Sequence, residues 1–183
     1  MNLSRRHALA AASLLLATGA AFAQAYPAKP IKVIVPFPAG GGTDLIAREV
    51  TTKIQTTKGW NFVIENRPGT GGNIGIDVVA KSPADGYTIA LGQTSNLAIN
   101  PTLYSKMPYD SVKDLTPVGL VANAPLVMVV GESSPFKSLT EVVAASKAKP
   151  GSLNMAFSGN GTVAHLASVL FQKSAGVEFT HVP

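Results

Sequence analysis

The sequence predicts an α/β fold, in which helices cover a mostly parallel sheet. Between Ile31 and Leu91, strand-like and helix-like segments alternate three times with short connections, which is typical of parallel sheets. A second group of such segments follows Pro108. Loops at the carboxyl ends of parallel strands face one crevice, so we expect the loops at 36–43, 66–72 and 92–96 to meet there.

The first of these units contains the clearest functional pattern. Ile31–Val35 is a β-branched run typical of a buried strand, and the prolines and glycines of 36–42 end it. We expect Thr43 to cap the helix that follows and Asp44 to lie in its first turn. Apolar side chains recur every four residues along one face of this helix, at Ile46, Val50 and Ile54.

A strand, a glycine-rich loop and a helix start point unpaired N–H groups at one spot and suit an anionic ligand. The alternative is a tight βα turn without a ligand, and the residues alone leave both open. Asp44 would repel a carboxylate if it pointed inward. It is expected either to complement the helix end or to accept a hydrogen bond from the ligand.

The rest of the first lobe repeats the alternation. Phe62–Ile64 predicts a second strand, and Asn73 is expected to cap the next helix. Tyr87–Leu91 predicts a third strand, and a short helical piece after it is expected to break at Asn100-Pro101.

Beyond Pro108, two apolar runs split by Asn123-Ala124-Pro125 indicate a crossover into a second lobe. The predicted elements there are the runs Val118–Ala122 and Leu126–Val130, a helix from the capping box Ser138–Glu141 to about Lys149, a strand at Asn154–Phe157, a glycine loop, a helix stopped by Gly176, and a strand at Val177–Val182. Nothing follows to cover the last strand, so we expect this lobe to lack a C-terminal part. A compact domain ending at Pro183 is the alternative.

Residues 1–25 are predicted to be a signal peptide. Arg5 and Arg6 precede an Ala/Leu-rich segment, Ala8–Ala21, and small residues favour cleavage near Ala23 or Ala25. The predicted location is therefore periplasmic, with the Sec and twin-arginine routes both open. The predicted lobes are residues 26–108 and 109–183.

Composition argues against several classes of protein. The formal net charge is +5, but the lysines are scattered singly rather than clustered as in a nucleic-acid binder. There is no cysteine, which excludes disulfides and thiolate chemistry. No metal-ligand spacing, nucleophile elbow or complete dinucleotide fingerprint occurs. We therefore expect no enzyme, no cofactor and no metal.

Seven stretches in fixed order resemble the periplasmic solute-binding receptors of tripartite tricarboxylate transporters, the Bug family. They are YPAKPIKVIVPFPAGGGTD, VIENRPGTGGNIG, SPADGYTIALG, AINPTLY, MPYDSVKDLTPV, AKPGSLNMAFSGNGTVAHLA and VEFTHVP. The resemblance implies a two-lobe, periplasmic-binding-protein-like fold of the type II kind. It also implies a hinge that closes on a small carboxylate, a membrane permease as partner, and a monomer.

In such receptors the carboxylate lies between the loop after the first strand and the matching loop of the second lobe, here Phe37–Asp44 and Phe157–Thr162. The residues predicted to bind it are Phe37, Ala39, Gly40, Gly41, Gly42, Thr43, Asp44, Ser95, Asn96, Ser158, Asn160, Gly161 and Thr162. There are two alternatives. The chain could be a ligand-sensing module for a membrane signalling partner, or a non-functional fragment of the receptor.

Overall fold

The computed structural model describes residues 26–183, so the predicted signal peptide and its cleavage site lie outside the described residues. The helices and strands, in chain order, are β1 Ile31–Val35, α1 Gly42–Lys58, β2 Phe62–Asn66, α2 Asn73–Ala80, β3 Thr88–Ala90, α3 Asn100–Leu103, α4 Leu139–Ala148, β4 Asn154–Ala156, α5 Val163–Ala175 and β5 Thr180–Val182. Among these residues, no helix is long and apolar enough to span a bilayer.

The first three strands form one parallel sheet in the order β2-β1-β3. The central strand β1 pairs with β2 from Ile31 opposite Phe62 to Val35 opposite Asn66. It is buried because it has a neighbour on each side and helices packed against it, and Ile34 and Val35 are both 0% exposed. The predicted alternation of strands and helices around a parallel sheet is confirmed.

Helix α1 begins two residues earlier than predicted. Gly41, in an extended conformation (φ −75°, ψ 166°), is the N-cap, so the prediction that Thr43 caps this helix is wrong. Any residue can adopt this extended conformation, and glycine is among the residues favoured at a helix N-cap. The buried face contains Thr43, Ala47 and Thr51 rather than the predicted apolar stripe, of which Val50 is exposed.

Two further local predictions are wrong. Gly72, not Asn73, caps α2, because the side chain of Asn73 is buried in contacts with Asn100 and Tyr109. The helical segment after β3 does not break at Asn100-Pro101. It runs through a π turn at Ser95–Ile99 directly into α3, where Pro101 occupies the first turn and needs no donor.

The second group of elements forms a smaller parallel pair, β4 with β5, flanked by α4 and α5. The capping residues follow the sequence signals. Ser138 accepts a hydrogen bond from the N–H of Glu141, Thr162 caps α5, and Gly176 ends α5 in the left-handed conformation.

The segment that joins the two groups is extended and exposed. The apolar runs Val118–Ala122 and Leu126–Val130 form no strand within the described residues, and Val118 is 94% exposed. Apolar content predicted β structure there, but a strand also requires a partner backbone. The described part of the second lobe therefore has two strands, β4 and β5.

Replacing a fully buried side chain of β1 should test the central place of this strand in the sheet. Ile34→Ala is expected to lower the free energy of unfolding by about 2–5 kcal/mol, because it leaves a cavity between sheet and helix. Val63→Ala on β2, where the side chain is 52% exposed, should change it by less than about 0.5 kcal/mol. Urea unfolding compares the two, and equal losses would contradict the assignment of β1 as the core strand.

Candidate ligand-binding site

The glycine-rich loop after β1 is held in shape by the carboxylate of Asp44. Oδ2 accepts a hydrogen bond from the N–H of Gly40 (2.9 Å) and another from Nε of Arg48 (2.9 Å). Oδ1 accepts from Nδ2 of Asn66 (3.0 Å), which also donates to the carbonyl of Phe37 (3.0 Å). One buried carboxylate thus joins the loop, the end of β2 and the first turns of α1.

These contacts also affect the ionisation of Asp44. Its hydrogen bond from Arg48, followed by that from Gly40, holds the pKa of Asp44 well below its usual range, against the opposing effect of desolvation. The same ion pair raises the pKa of Arg48. The carboxylate is therefore ionised and compensated within the loop. Its described contacts support the loop and the helix start, and a contact of Asp44 with the ligand stays a prediction.

The start of α1 lies open beside this anchor. Gly40, Gly41 and Gly42 are exposed, and no side chain caps the helix. Thr43 is buried, and its hydroxyl contacts the side-chain amide of Gln93 at the exit of β3. The first-turn N–H groups carry the positive end of the helix dipole, so this loop favours an anion.

A buried polar network lies behind the third loop. Nδ2 of Asn100 donates to Oδ1 of Asn73 (2.7 Å), and the hydroxyl of Tyr109 lies 2.6 Å from the carbonyl oxygen of Asn96 and 3.0 Å from Oδ1 of Asn73. Burial raises the pKa of Tyr109 to about 12, so it stays a donor. Ser95 and Asn96 are both 0% exposed. Their side chains help to shape the loop region from within.

The loop of the second lobe has a different construction. Phe157 stacks on the ring of His165 with their centroids 4.8 Å apart, and the N–H of Gly161 donates to Nδ1 of His165 (3.3 Å). Thr162 is buried, and its hydroxyl accepts from the N–H of His165 while donating to the carbonyl of Gly159. Unlike α1, α5 is therefore capped by a side chain.

Contacts through Gly71 and Gly72 link the two loops. A methyl group at Gly72 would lie 3.2 Å from the ring of Phe37 in the first loop, and one at Gly71 would lie 3.4 Å from the carbonyl oxygen of Asn160 in the second. Both loops therefore approach the same stretch of chain.

The predicted ligand residues differ in solvent exposure. The exposed ones are Ala39, Gly40, Gly41, Gly42, Ser158 and Asn160, the half-buried one is Phe37, and the buried ones are Thr43, Asp44, Ser95, Asn96, Gly161 and Thr162. Their contact with a ligand stays a prediction. The sequence did not identify four polar residues whose side chains form the contacts around these loops, namely Asn66, Asn73, Asn100 and Tyr109. Only Asn66 had a sequence signal, as a polar residue at the carboxyl end of a strand.

Two surface clefts lie elsewhere. One of about 290 Å³ is lined by the end of α4 and by Gly176–Glu178. Another of about 130 Å³ lies between Pro27–Pro30 and Gly59–Asn61. Neither is lined by a residue of the two glycine loops.

The architecture described here is that of a periplasmic binding protein. The family model for the tripartite tricarboxylate transporter family receptor matches residues 46–183. The chain belongs to this family, whose members are receptors rather than enzymes, and the predicted family is confirmed.

Curated relatives match the chain from end to end. A protein from the tcbD-tcbE intergenic region of Pseudomonas sp. (strain P51) is 43% identical over 100% of this chain and 55% of its own length. Protein BugT of Bordetella pertussis is 40% identical over 100% of this chain and 57% of its own. The chain therefore spans about half the length of these relatives.

Solved structures agree in fold. Rpa4515 of R. palustris, solved with adipate, is 38% identical with a TM-score of 0.83 over 86% of this chain and 53% of its own. MatC of Rhodopseudomonas palustris, solved with bound malate, is 32% identical with a TM-score of 0.77 over 86% and 54%.

The anchoring role of Asp44 predicts a pH-dependent contribution to stability. Its folded pKa lies below the ordinary value of 3.8, so the folded chain binds fewer protons. The contribution is complete above that value and is lost as the pH falls through the folded pKa. Asp44→Asn should therefore melt at a lower temperature than the wild type at neutral pH, and the difference should narrow in acid.

Thermal melts from about pH 7 to about pH 2.5 follow this difference to below the ordinary pKa, where the unfolded chain takes up the proton before the folded chain and the difference begins to narrow. Glu49→Gln, an exposed carboxylate on the same helix without an ion pair among the described residues, is the matched control and should follow the wild type. If the melting temperatures of the wild type and Asp44→Asn differ by the same amount at every pH, the charge of Asp44 does not contribute to stability.

Proposed function

We propose that this chain is an exported, periplasmic receptor that captures a small carboxylate and delivers it to a membrane permease. Membership of a receptor family supports the capture role. Two relatives with the same fold hold dicarboxylates, adipate in one and malate in the other. The signal-peptide pattern of residues 1–25 supports export.

The observation that carries the proposal is the uncapped start of α1 among exposed glycines. A helix start without a side-chain cap leaves its first N–H groups free for a ligand oxygen. The nearby negative charge of Asp44 does not oppose this, because Arg48 forms an ion pair with it at 2.9 Å. A carboxylate is the simplest occupant for such a set of donors.

Energetics favour a clamp of two loops over a single loop. Each charge-assisted hydrogen bond contributes about 1.5–3 kcal/mol, and a helix start adds about 0.3–1 kcal/mol. Lost translational freedom and ordering offset much of one loop's contribution. Because α5 is already capped by Thr162, we assign the main-chain donors chiefly to the first loop. The exposed side chains of Ser158 and Asn160 supply polar groups from the second.

Isothermal titration of the chain with adipate, malate, citrate, glutamate and aspartate tests the capture role. Saturable binding of at least one of them, in the micromolar range that two loops would provide, is expected. A cooperatively folded chain that gives no heat with any of these anions would contradict the proposal.

The donor role of the loop can be tested at a single atom. Gly42→Pro removes the N–H at the first helical position, where proline is well tolerated and where Gly41 already has the extended backbone that precedes a proline. Gly42→Ala keeps the N–H and adds a methyl group with nothing within 4 Å. We expect Gly42→Pro to weaken carboxylate binding by about 10- to 100-fold, measured by the same titration.

The matched alanine variant should bind nearly as the wild type, and both variants should melt near the wild-type temperature. Equal weakening by alanine and proline would mean that the N–H of residue 42 donates nothing to the ligand.

A further inference from the structure

Asn100 is a buried side chain that the proposed function leaves unused. It is 0% exposed at the start of α3. Its Nδ2 donates to Oδ1 of Asn73 (2.7 Å) and to the carbonyl oxygen of Gly71 (3.2 Å). Since both partners are acceptors, they fix the orientation of the amide, and Oδ1 must face the other way.

The oxygen of this amide faces the loop of the second lobe. A methyl group at Gly161 would lie 2.7 Å from Oδ1 of Asn100 and 3.0 Å from Cδ2 of Leu103. Oδ1 is buried and has no hydrogen-bond partner among the described residues. The backbone of Gly161 therefore packs directly on Asn100, where any side chain would collide.

The loop that packs there is fixed from its own side as well. The N–H of Gly161 donates to Nδ1 of His165 (3.3 Å), and the hydroxyl of Thr162 donates to the carbonyl of Gly159 (2.7 Å). A loop held by its own helix cannot deform freely to absorb a displacement. Its position relative to the first lobe therefore depends on what it rests against.

Gly71, in the first lobe like Asn100, also packs closely on Asn100 and on the loop of the second lobe. A methyl group there would lie 2.9 Å from Nδ2 of Asn100 and 3.4 Å from the carbonyl oxygen of Asn160. Gly71 and Gly161 both have positive φ, 62° and 79°. Two glycines and one buried amide thus allow the backbones of the two lobes to approach closely at one point.

We propose that Asn100 is a positioning residue that seats the loop Phe157–Thr162 against the first lobe, so that its side chain sets the separation of the two glycine loops. This inference rests on the proposed function, because a carboxylate held between two loops requires a defined gap. Displacing the second loop lowers the fraction of molecules that can bind and weakens the apparent affinity in proportion.

The separation of the lobes can be measured directly, without a ligand. The chain has no cysteine, so Lys53→Cys on α1 and Lys173→Cys on α5, both exposed, give one specific pair of spin labels. Double electron–electron resonance then reports the distance distribution between the lobes. The parent chain should give a narrow distribution, and Gly161→Ala and Gly71→Ala should shift it to longer distances.

Two variants separate this effect from backbone strain. Gly176→Ala has the same left-handed strain (φ 61°) with nothing within 4 Å of the added methyl group, and it should leave the distribution unchanged. Asn100→Ser, placed in the Gly161→Ala background, removes the opposing oxygen and should return the mean distance toward that of the parent.

A cooperatively melting Gly161→Ala chain with the parent distance distribution would overturn the proposal, as would a broad distribution in the parent. If Gly161→Ala does not fold, Leu103→Ala provides the test of the proposal instead. Leu103 is 47% exposed, so its truncation spares the core, and it should broaden the distribution. An unchanged distribution in that variant overturns the proposal.

Titration with malate and adipate separates this inference from the proposed function. If both hold, Gly161→Ala binds about tenfold more weakly than Gly176→Ala. If the distances shift as expected but the parent binds no carboxylate, the seating role of Asn100 stands and the proposed function falls. If the distances stay unchanged while the parent binds normally, the proposed function stands and the seating role of Asn100 falls.

Discussion

The carboxylate of Asp44 is the interaction on which the glycine loop depends. An acidic residue in the first turn of a helix commonly caps the N–H groups of its own helix and so uses them up. Here the side chain reaches back to the N–H of Gly40 and across to Asn66. The loop is therefore rigid while the helix start beside it stays open. Arg48 then balances the charge, so that rigidity is achieved without an uncompensated negative group next to an anion site.

The two glycine loops are similar in sequence but not in chemistry. The helix after the first begins at a glycine cap, whereas the helix after the second begins at Thr162, whose hydroxyl bonds to the N–H of His165. The first loop is suited to donate main-chain hydrogen bonds, and the second presents polar side chains from a structure that is already satisfied. Sequence patterns of glycine and threonine look alike in both places. The two cap residues also share the same extended backbone, so the loops differ in which residue occupies the cap and in whether its side chain accepts a hydrogen bond.

Local signals predicted the elements that carry the site. The β-branched run of Ile31–Val35, the capping box at Ser138–Glu141 and the stop at Gly176 are short-range features, and each one appears in the structure as expected. Asn73 and Asn100 were not identifiable in this way. Asn73 bonds to Asn100 across 27 residues of sequence and to Tyr109 across 36, so the importance of both asparagines comes from distant parts of the chain. Thr43 was assigned as a cap because propensity favours threonine, but the extended backbone of Gly41 already ended the loop.

The order of strands in the first sheet affects how the chain can fold during synthesis. Its middle strand, β1, precedes both of its neighbours in sequence. When it leaves the ribosome, no part of the sheet exists to cover Ile31 and Val33. This apolar segment must therefore stay unpaired until β2 follows. Chaperones that recognise extended apolar stretches would find an early target here, at a strand that later becomes one of the least accessible parts of the molecule.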